Sequence, residues 1–467
     1  MRRQSSEVIP SARRLIQSLR DLGYDLPTAV ADLIDNSITA GATRIAVETS
    51  FEGDDSWIRI IDDGLGMTRN QLREAMRFGT RRDYDEDDLG KFGLGLKAAS
   101  LSQCRCVTVA SRTTPTGRIG VAQWDLDYVE EADRWEVLHP AAREVPLATN
   151  PLRASSGTVV VWEDLDRVFR YRIPDGKRAQ TDFERLTADL AQHISMVFHR
   201  FLEGQADRAL PLKITLNGAP ILPWDPFARS EAATLQLPKQ RLRFVHDSTK
   251  HVVEVRSYVL PTAAFFSSPT AHRAASGPRL WNRQQGFYIY RANRMIQSGG
   301  WSRLRTSDEH TKLARVSIDL PPGAEELFEL NISKTQVRIP SALRPSLAAV
   351  ASHLSRAAQE AYRRTMPPPS APVRPLAISD PRMRAIKALV RMVVVAVQTI
   401  LDEELVDASI RERIFRRLLT EESRFGTELE AEVSREVAFA RKESGPVRDT
   451  AFRKVERASV KQQSALQ

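Results

Sequence analysis

Residues 32–41, Asp-Leu-Ile-Asp-Asn-Ser-Ile-Thr-Ala-Gly, combine a helical apolar pattern with two polar side chains on one face. The apolar residues at positions 30, 33, 34 and 38 recur at helical spacing, which predicts an amphipathic helix. Asp32 and Asn36 lie one turn apart on that helix and share a face. The carboxamide oxygen can bind Mg²⁺ while the carboxylate orients a water molecule. A solvated face on an ordinary core helix explains the same pattern, so the motifs downstream decide between the two interpretations.

The segments that follow predict an α+β sandwich. Strands are expected at 44–49, 57–61, 106–111, 117–124 and 158–163, a helix at 69–78, and a glycine-rich turn followed by a helix within 90–102. Helices mixed with antiparallel strands favour this class over a doubly wound sheet. A long helix at 182–202 begins a second unit of strands, which a helix at 345–364 closes. The predicted divisions are therefore 1–170, 171–365, a proline-rich linker at 366–380 and a helical C-terminal region at 381–467.

Composition and charge limit the compartment and suggest a partner. The 467 residues contain neither an apolar run long enough for a membrane span nor an N-terminal leader pattern. Two cysteines, Cys104 and Cys106, fit a reducing, cytoplasmic environment. The formal charge of +9 is concentrated in residues 171–365, which carry +11, whereas residues 1–170 carry −5. A basic surface facing DNA is the expectation, with general solubility as the alternative.

A first glycine motif, Asp62-Asp63-Gly64-Leu65-Gly66-Met67, directly follows an apolar strand. The alternating glycines let the backbone turn sharply and approach a ligand closely. The carboxylate of Asp62 at the strand end can accept a hydrogen bond from an exocyclic amine, such as that of adenine. The same pattern also occurs in simple turns.

Two further motifs add phosphate-binding potential. In Gly90-Lys91-Phe92-Gly93-Leu94-Gly95-Leu96-Lys97, three glycines precede a helix, so several backbone N–H groups can converge on phosphate oxygens. The preceding segment 79–88 is polar and charged and is expected to be a loop. A Gly157-Thr158 pair then enters an apolar strand and can place a hydroxyl at a nucleotide. No third ligand accompanies His193 and His199, so a structural helix is preferred over a metal site there.

In this order and spacing, the motifs resemble those of the GHKL ATPase superfamily, which includes gyrase B subunits, MutL, histidine kinases and ninety-kilodalton heat-shock chaperones. The stretch 36–45 is most similar to MutL, and the stretch 93–100 is more similar to MORC ATPases. The resemblance covers about residues 8–365. It implies a GHKL α/β sandwich followed by a ribosomal-protein-like transducer domain, with a helical tail.

The resemblance also implies residue roles. Asp32 corresponds to the catalytic base, and Asn36 corresponds to the Mg²⁺ ligand. Stretches 286–290 and 293–296 resemble the transducer strand and turn, and stretch 331–338 resembles the loop whose lysine reaches the γ-phosphate, so Lys334 is the second implied catalytic residue. The implied ATP-binding residues are Asn36, Asp62, Gly64, Gly66, Met67, Lys91, Gly93, Gly95, Lys97 and Thr158.

Two departures from the family pattern affect the expected rate of ATP hydrolysis. Asp32 stands where relatives have glutamate, and its side chain is shorter by one C–C bond, roughly 1.5 Å. A misplacement of about 1 Å can cost on the order of 10²-fold in rate. Thr39 stands where relatives often have an acidic residue.

The expected function is an ATPase that dimerises on ATP binding, with segment 79–92 as a lid, and that clamps or remodels DNA in defence, repair or chromosome maintenance. Partner proteins encoded with it are also expected. Two alternatives stay open: a chaperone-like ATPase acting on protein clients, and a slow nucleotide-sensing subunit of a multi-protein complex. The charge of the middle third disfavours a chaperone.

Overall fold

The computed structural model describes residues 10–363, apart from residues 22, 79–94, 169–170, 207–211, 247, 322, 325, 332–333 and 335–336. The described residues all fall within one compact unit, Met1–Pro367. The predicted linker at 366–380, the predicted C-terminal helices and the predicted lid segment at 79–92 lie outside the described residues.

The first sheet has seven strands in the order β4-β3-β5-β2-β1-β6-β7. Its neighbours are antiparallel except for β1 and β6, which are parallel. The strands are β1 Arg44–Ser50, β2 Trp57–Asp62, β3 Cys106–Arg112, β4 Gly120–Asp125, β5 Gly157–Glu163, β6 Lys213–Leu216 and β7 Ala219–Pro220.

Helix α2 contacts α4 and α7 beside this sheet, and α1 and α3 contact α4. The helices of this part are α1 Ala12–Arg20, α2 Leu26–Thr39, α3 Arg69–Met76, α4 Gly95–Leu101, α5 Leu126–Ala132, α6 Pro146–Thr149, α7 Lys177–Val197 and α8 His199–Leu202.

Local sequence explains why the sheet carries helices on one face and a smaller cover on the other. Strand β2 alternates, and its buried residues Ile58 and Ile60 point into the main core. Strand β5, in contrast, is apolar along its length and is buried on both sides. Val159 and Val161 of β5 pack with Ala148 and Leu152 in a second, small apolar cluster.

The second sheet has the order β12-β11-β13-β10-β8, with β9 paired to β10. Strands β11 and β13 are parallel, and the other pairs are antiparallel. Helix α11 packs on β10 and β13. The elements are β8 Leu235–Gln236, β9 Gln240–His246, β10 Thr249–Val259, α9 Pro269–Ala275, α10 Leu280–Gln284, β11 Gly286–Arg291, β12 Arg294–Ser298, β13 Ala314–Leu320 and α11 Arg344–Arg363.

The two mixed sheets with their helices confirm the α+β class. The single helix predicted at 182–202 is divided, with α7 ending at Val197 and α8 beginning at His199. The carbonyl of Ser195 accepts a hydrogen bond from the Trp224 N–H at 3.1 Å, next to the division. Strands β6 and β7 follow residue 170 in the chain and yet complete the first sheet, while the predicted boundary at residue 170 stays a prediction. None of the helices described is both long and apolar enough to cross a membrane.

Candidate functional site

Helix α2 presents acidic and amide side chains to two different environments. Asp25 caps its N-terminus by accepting a hydrogen bond from the Thr28 N–H at 3.0 Å, and Pro27 lies in the first turn, where a missing N–H costs nothing. Asp32 is 2% exposed and Asp35 is fully buried. Asn36 is exposed, so its amide is available to a ligand.

Asp62 lies at the end of β2, where several hydrogen-bond donors converge on it. Its Oδ1 accepts from the backbone N–H groups of Gly64 at 3.0 Å and Thr158 at 3.2 Å. Its Oδ2 accepts from the Ser37 hydroxyl on α2 at 2.9 Å. Burial raises the pKa of the Asp62 carboxyl, against the opposing effect of these hydrogen bonds.

Two glycines beside Asp62 allow the backbone to pack closely in the turn after β2. A Cβ atom at Gly64 would lie 2.9 Å from the Ala40 carbonyl oxygen and 3.0 Å from Asp62 Oδ1. At Gly66, φ is +66° and a Cβ would lie 2.1 Å from the Arg112 carbonyl oxygen. Any side chain at these positions would therefore force the turn apart, so both glycines are required to hold the backbone close to the buried carboxylate.

Ser111, at the end of β3, joins two of the sequence-predicted residues. Its Oγ accepts from the Met67 N–H at 2.8 Å and lies 2.9 Å from Thr158 Oγ1. Thr158 in turn donates its N–H to Asp62. The predicted residues Asp62, Gly64, Gly66, Met67 and Thr158 therefore belong to one continuous group at the ends of β2, β3 and β5.

Lys334 reaches the buried carboxylates of α2 from a position 302 residues further along the chain. Its Nζ donates to Asp32 Oδ1 at 3.1 Å and to Asp35 Oδ2 at 2.7 Å. Lys334 has φ +51°, a left-handed conformation that is uncommon outside glycine. The two residues that sequence analysis names as catalytic are therefore in direct contact.

Two residues that sequence analysis did not assign complete this group. Arg294, the first residue of β12, places its Nε 3.0 Å from Asp35 Oδ1 and 2.8 Å from Oδ2. The Tyr24 hydroxyl donates to Asp32 Oδ2 at 2.8 Å. Burial, followed by the Asp32 carboxylate, raises the pKa of Tyr24 well above its usual value, so the hydroxyl stays a proton donor. Two carboxylates thus face two cations and one phenol in a buried cluster.

The remaining predicted residues are only partly described. Gly95 begins α4 close to Asp32, since a Cβ there would lie 3.6 Å from Asp32 Oδ2. Lys97 is 2% exposed, and its Nζ donates to the Ala75 carbonyl near the end of α3 at 3.0 Å. Burial lowers the pKa of Lys97 to about 8. Lys91 and Gly93 lie outside the described residues.

A group of metal-ligating side chains occurs at the division between α7 and α8. Among the described residues, His199, Glu203 and Asp225 have ligand atoms within 4.8 Å of one another. Arg229 already pairs with Glu203 at 2.7 Å and with Asp225 at 2.9 Å, and the His199 Nε2 contacts the Tyr290 hydroxyl at 2.9 Å. A guanidinium therefore fills the position of a cation, in keeping with a structural histidine.

Sequence signals for the missed residues differ in strength. Asp35 lies one helical turn from Asp32 on the same predicted helix, so its proximity could have been expected. Tyr24 and Ser111 have only weak signals, a polar residue beside a predicted helix and at a strand end. Arg294 stands within a stretch that resembles a transducer turn, but its approach to α2 requires knowledge of the three-dimensional fold.

Comparison with known proteins supports this grouping. Residues 24–158 match the family model described as histidine kinase-, DNA gyrase B-, and HSP90-like ATPase. This part of the chain therefore belongs to the GHKL ATPase superfamily. The match ends at Thr158, the last of the nucleotide-site residues predicted from the first third of the chain.

Proteins similar to this chain include several DNA mismatch repair proteins MutL. That of Dictyoglomus turgidum is 28% identical over 179 residues, which are 37% of this chain and 27% of the relative. That of Rippkaea orientalis is 31% identical over 146 residues, 30% of this chain and 23% of the relative. That of Dictyoglomus thermophilum is 41% identical over 83 residues, which are 17% of this chain and 14% of the relative. The chain spans about a quarter or less of the length of these relatives.

Proposed function

We propose that this protein binds ATP with Mg²⁺, hydrolyses it, dimerises when ATP is bound and acts on DNA. The contact between Lys334 Nζ and Asp32 Oδ1 at 3.1 Å is the observation that supports the ATPase most strongly. An implied base and an implied γ-phosphate ligand, 302 residues apart in the chain, share one buried cluster. The family match over residues 24–158 supports the same reaction.

Each nucleotide contact has a residue whose environment suits it. Asp62 accepts a hydrogen bond from the adenine amine, and Gly64 and Gly66 permit the close turn that carries this carboxylate. Lys334 donates to the γ-phosphate. Asn36 presents its exposed amide oxygen to Mg²⁺, a hard cation that prefers oxygen ligands. Bound Mg²⁺ supplies charge neutralisation to the phosphates.

Asp32 takes the proton from the attacking water or orients that water. Both carboxylate oxygens already accept hydrogen bonds, Oδ2 from Tyr24 and Oδ1 from Lys334. When Lys334 moves to the γ-phosphate, Oδ1 loses one donor and can accept from a water molecule in its place. Tyr24 keeps the carboxylate oriented while this happens. Phosphoryl transfer requires mainly such positioning and charge neutralisation.

DNA is the proposed partner of the second part of the chain. Residues 171–365 carry a charge of +11, and the relatives are named DNA mismatch repair proteins. The proposal includes a homodimer, a clamping or remodelling action on DNA, and partner proteins encoded with this one. It sets the protein in the cytoplasm, beside the nucleoid, which suits the free cysteines Cys104 and Cys106.

A slow nucleotide sensor is the second candidate, and the Asp32 environment favours it. The aspartate is short for its role, and both of its oxygens accept hydrogen bonds from Tyr24 and Lys334. Such a site holds ATP while hydrolysis is rare. The protein would then act as the nucleotide-sensing subunit of a larger complex, with dimerisation as its output.

The substitution Asp32→Asn tests the reaction. The amide retains the shape of the carboxylate but accepts a proton poorly, so ATP still binds while phosphate release falls at least about tenfold. Nucleotide affinity is measured by calorimetry, and turnover is measured by phosphate release.

Asp189→Asn on the exposed face of α7 is the matched control and leaves both quantities unchanged. Turnover that persists in Asp32→Asn removes Asp32 as the base. Turnover below detection in the wild type, with tight ATP binding, favours the sensor. Absence of nucleotide binding in the wild type contradicts both candidates.

A further inference from the structure

The cluster around helix α2 balances its charges through two residues from the second part of the chain. Asp32 and Asp35 contribute two carboxylates, and Arg294 and Lys334 contribute two cations. The side chains of Asp32, Asp35 and Arg294 are at most 3% exposed, and that of Lys334 is 10% exposed. A buried charge without a partner is costly, so the two pairs depend on each other.

The two cations bind the carboxylates differently. Arg294 Nε lies within 3.0 Å of both oxygens of Asp35, whereas its Nη2 is 3.9 Å from Asp32 Oδ1. Lys334 contacts both aspartates with one ammonium group. Arg294 is therefore the close counter-ion of Asp35, and Lys334 is shared between Asp32 and Asp35. Arg294 Nη1 also lies 3.4 Å from the Lys334 carbonyl oxygen, which joins the guanidinium to the backbone that carries the lysine.

This division of contacts decides what happens when Lys334 leaves. With Arg294 in place, Asp35 keeps a close counter-ion, and only Asp32 loses one while retaining the Tyr24 hydroxyl. Without Arg294, the departure of Lys334 would leave the two buried carboxylates with no cation from the described residues in contact. The lysine would then stay on α2 rather than move to a phosphate.

We propose that Arg294 is a positioning residue that neutralises Asp35 and thereby frees Lys334 for the γ-phosphate. This inference rests on the proposed function, in which Lys334 reads the γ-phosphate. In this role Arg294 acts through Lys334 and not by contact with the nucleotide. Its effect therefore appears only with a ligand that has a γ-phosphate, whereas general structural damage lowers the affinity for ADP and for ATP alike.

The test compares the affinities of the full chain for ADP and for a non-hydrolysable ATP analogue by calorimetry. Arg294→Met lowers the preference for the ATP analogue over ADP by about tenfold, with ADP affinity little changed. Asp35→Asn acts in the opposite direction, because one carboxylate fewer holds Lys334, and raises the preference. The double variant Arg294→Met/Asp35→Asn returns toward the wild-type ratio.

Arg315→Met is the matched control. Arg315 is a fully buried arginine of the same sheet that donates to the backbone oxygens of Lys312 and Ala314, so its loss destabilises the fold without changing the nucleotide preference. If Arg294→Met does not fold, the same comparison is made with two other variants. Arg294→Lys is expected to lower the preference for the ATP analogue by a smaller factor, and Asp35→Asn is expected to raise that preference.

The positioning role is overturned if Arg294→Met keeps the ratio of ATP-analogue to ADP affinity within about twofold of the wild-type ratio. If Arg294→Met does not fold, the same result in Asp35→Asn overturns it. A wild type that binds neither nucleotide contradicts the proposed function instead. The two failures are therefore distinguishable.

Discussion

Asp62 shows how much of the site depends on a single buried carboxylate. It accepts hydrogen bonds from the backbone at Gly64 and Thr158 and from the Ser37 hydroxyl, and burial raises its pKa. These contacts tie the ends of β2 and β5 to helix α2. The same carboxylate that organises the turn is the proposed reader of the base, so a substitution must preserve its shape to separate the two roles.

Asp62→Asn makes that separation. The amide oxygen can keep the bonds from Gly64 and Thr158, while the NH₂ group replaces the acceptor proposed for the adenine amine. We expect ATP affinity to fall by about tenfold or more and GTP affinity to change little, because guanine presents an oxygen at that edge. Calorimetric titration with both nucleotides measures the ratio.

Asp225→Asn, a substitution of a partly buried aspartate that pairs with Arg229, is the control for general loss of stability. An equal loss of ATP and GTP affinity in Asp62→Asn would contradict base reading by this residue.

At the scale of single elements, local sequence predicts more than the contacts between elements. The apolar pattern and the cap at Asp25 are local features, and helix α2 is present where the pattern predicts it. The approach of Arg294 and Lys334 to α2 depends on how β12 and the segment at 334 are carried by a second sheet. The family resemblance implies that Lys334 reaches the nucleotide site. No local pattern encodes its ion pairs with Asp32 and Asp35 or the approach of Arg294, because these contacts join residues more than 250 positions apart.

The turn between β11 and β12 delivers Arg294 to α2 and is strained at one position. Ala292 and Asn293 form a two-residue hairpin turn with φ values of 45° and 66°. Turns of this kind match the twist of the strands and favour asparagine and glycine. Alanine pays a steric cost in the left-handed region, whereas asparagine tolerates it. Ala292 is exposed, so no packing compensates for the strain.

Ala292→Gly is therefore expected to stabilise the protein by about 0.5–1 kcal/mol, although glycine usually destabilises. Ala271→Gly, within helix α9, provides the matched control and loses a similar amount. Thermal unfolding measures both changes. If Ala292→Gly lowers the unfolding temperature as Ala271→Gly does, the turn is not strained at Ala292.

Over the whole molecule, charge is divided along the chain rather than spread evenly. The first 170 residues are acidic overall, and residues 171–365 carry the excess of +11. The β9–β10 hairpin contributes exposed cations, among them Arg243 and Lys250, on the strands paired at Val252↔Arg243 and Lys250↔Val245. An exposed basic strand pair of this kind suits a phosphate backbone.

Duplex DNA binding is expected to weaken as salt rises, because each phosphate contact releases counter-ions. The double substitution Arg243→Glu/Lys250→Glu weakens binding and reduces the slope of log affinity against log salt by about two. Fluorescence anisotropy with a labelled duplex, with and without ATP, measures both quantities.

The control carries the same charge change in the acidic part of the chain, Arg134→Glu/Arg143→Glu, on side chains that are 72% and 88% exposed. If both double variants lose the same DNA affinity, the hairpin acts only through the net charge of the protein and not as a specific contact surface. Undetectable binding by the wild type at low salt would remove DNA as the partner.

The pairing of β1 with β6 limits how this molecule can be recombined. Register runs from Arg44↔Lys213 to Val47↔Leu216, so a strand encoded after helix α7 covers an edge of the first sheet. A gene fusion or exchange placed just after β5 would leave that edge bare, with unpaired N–H and C=O groups open to another chain. The segment that can be inherited or transplanted as one nucleotide-binding module therefore extends at least to Pro220.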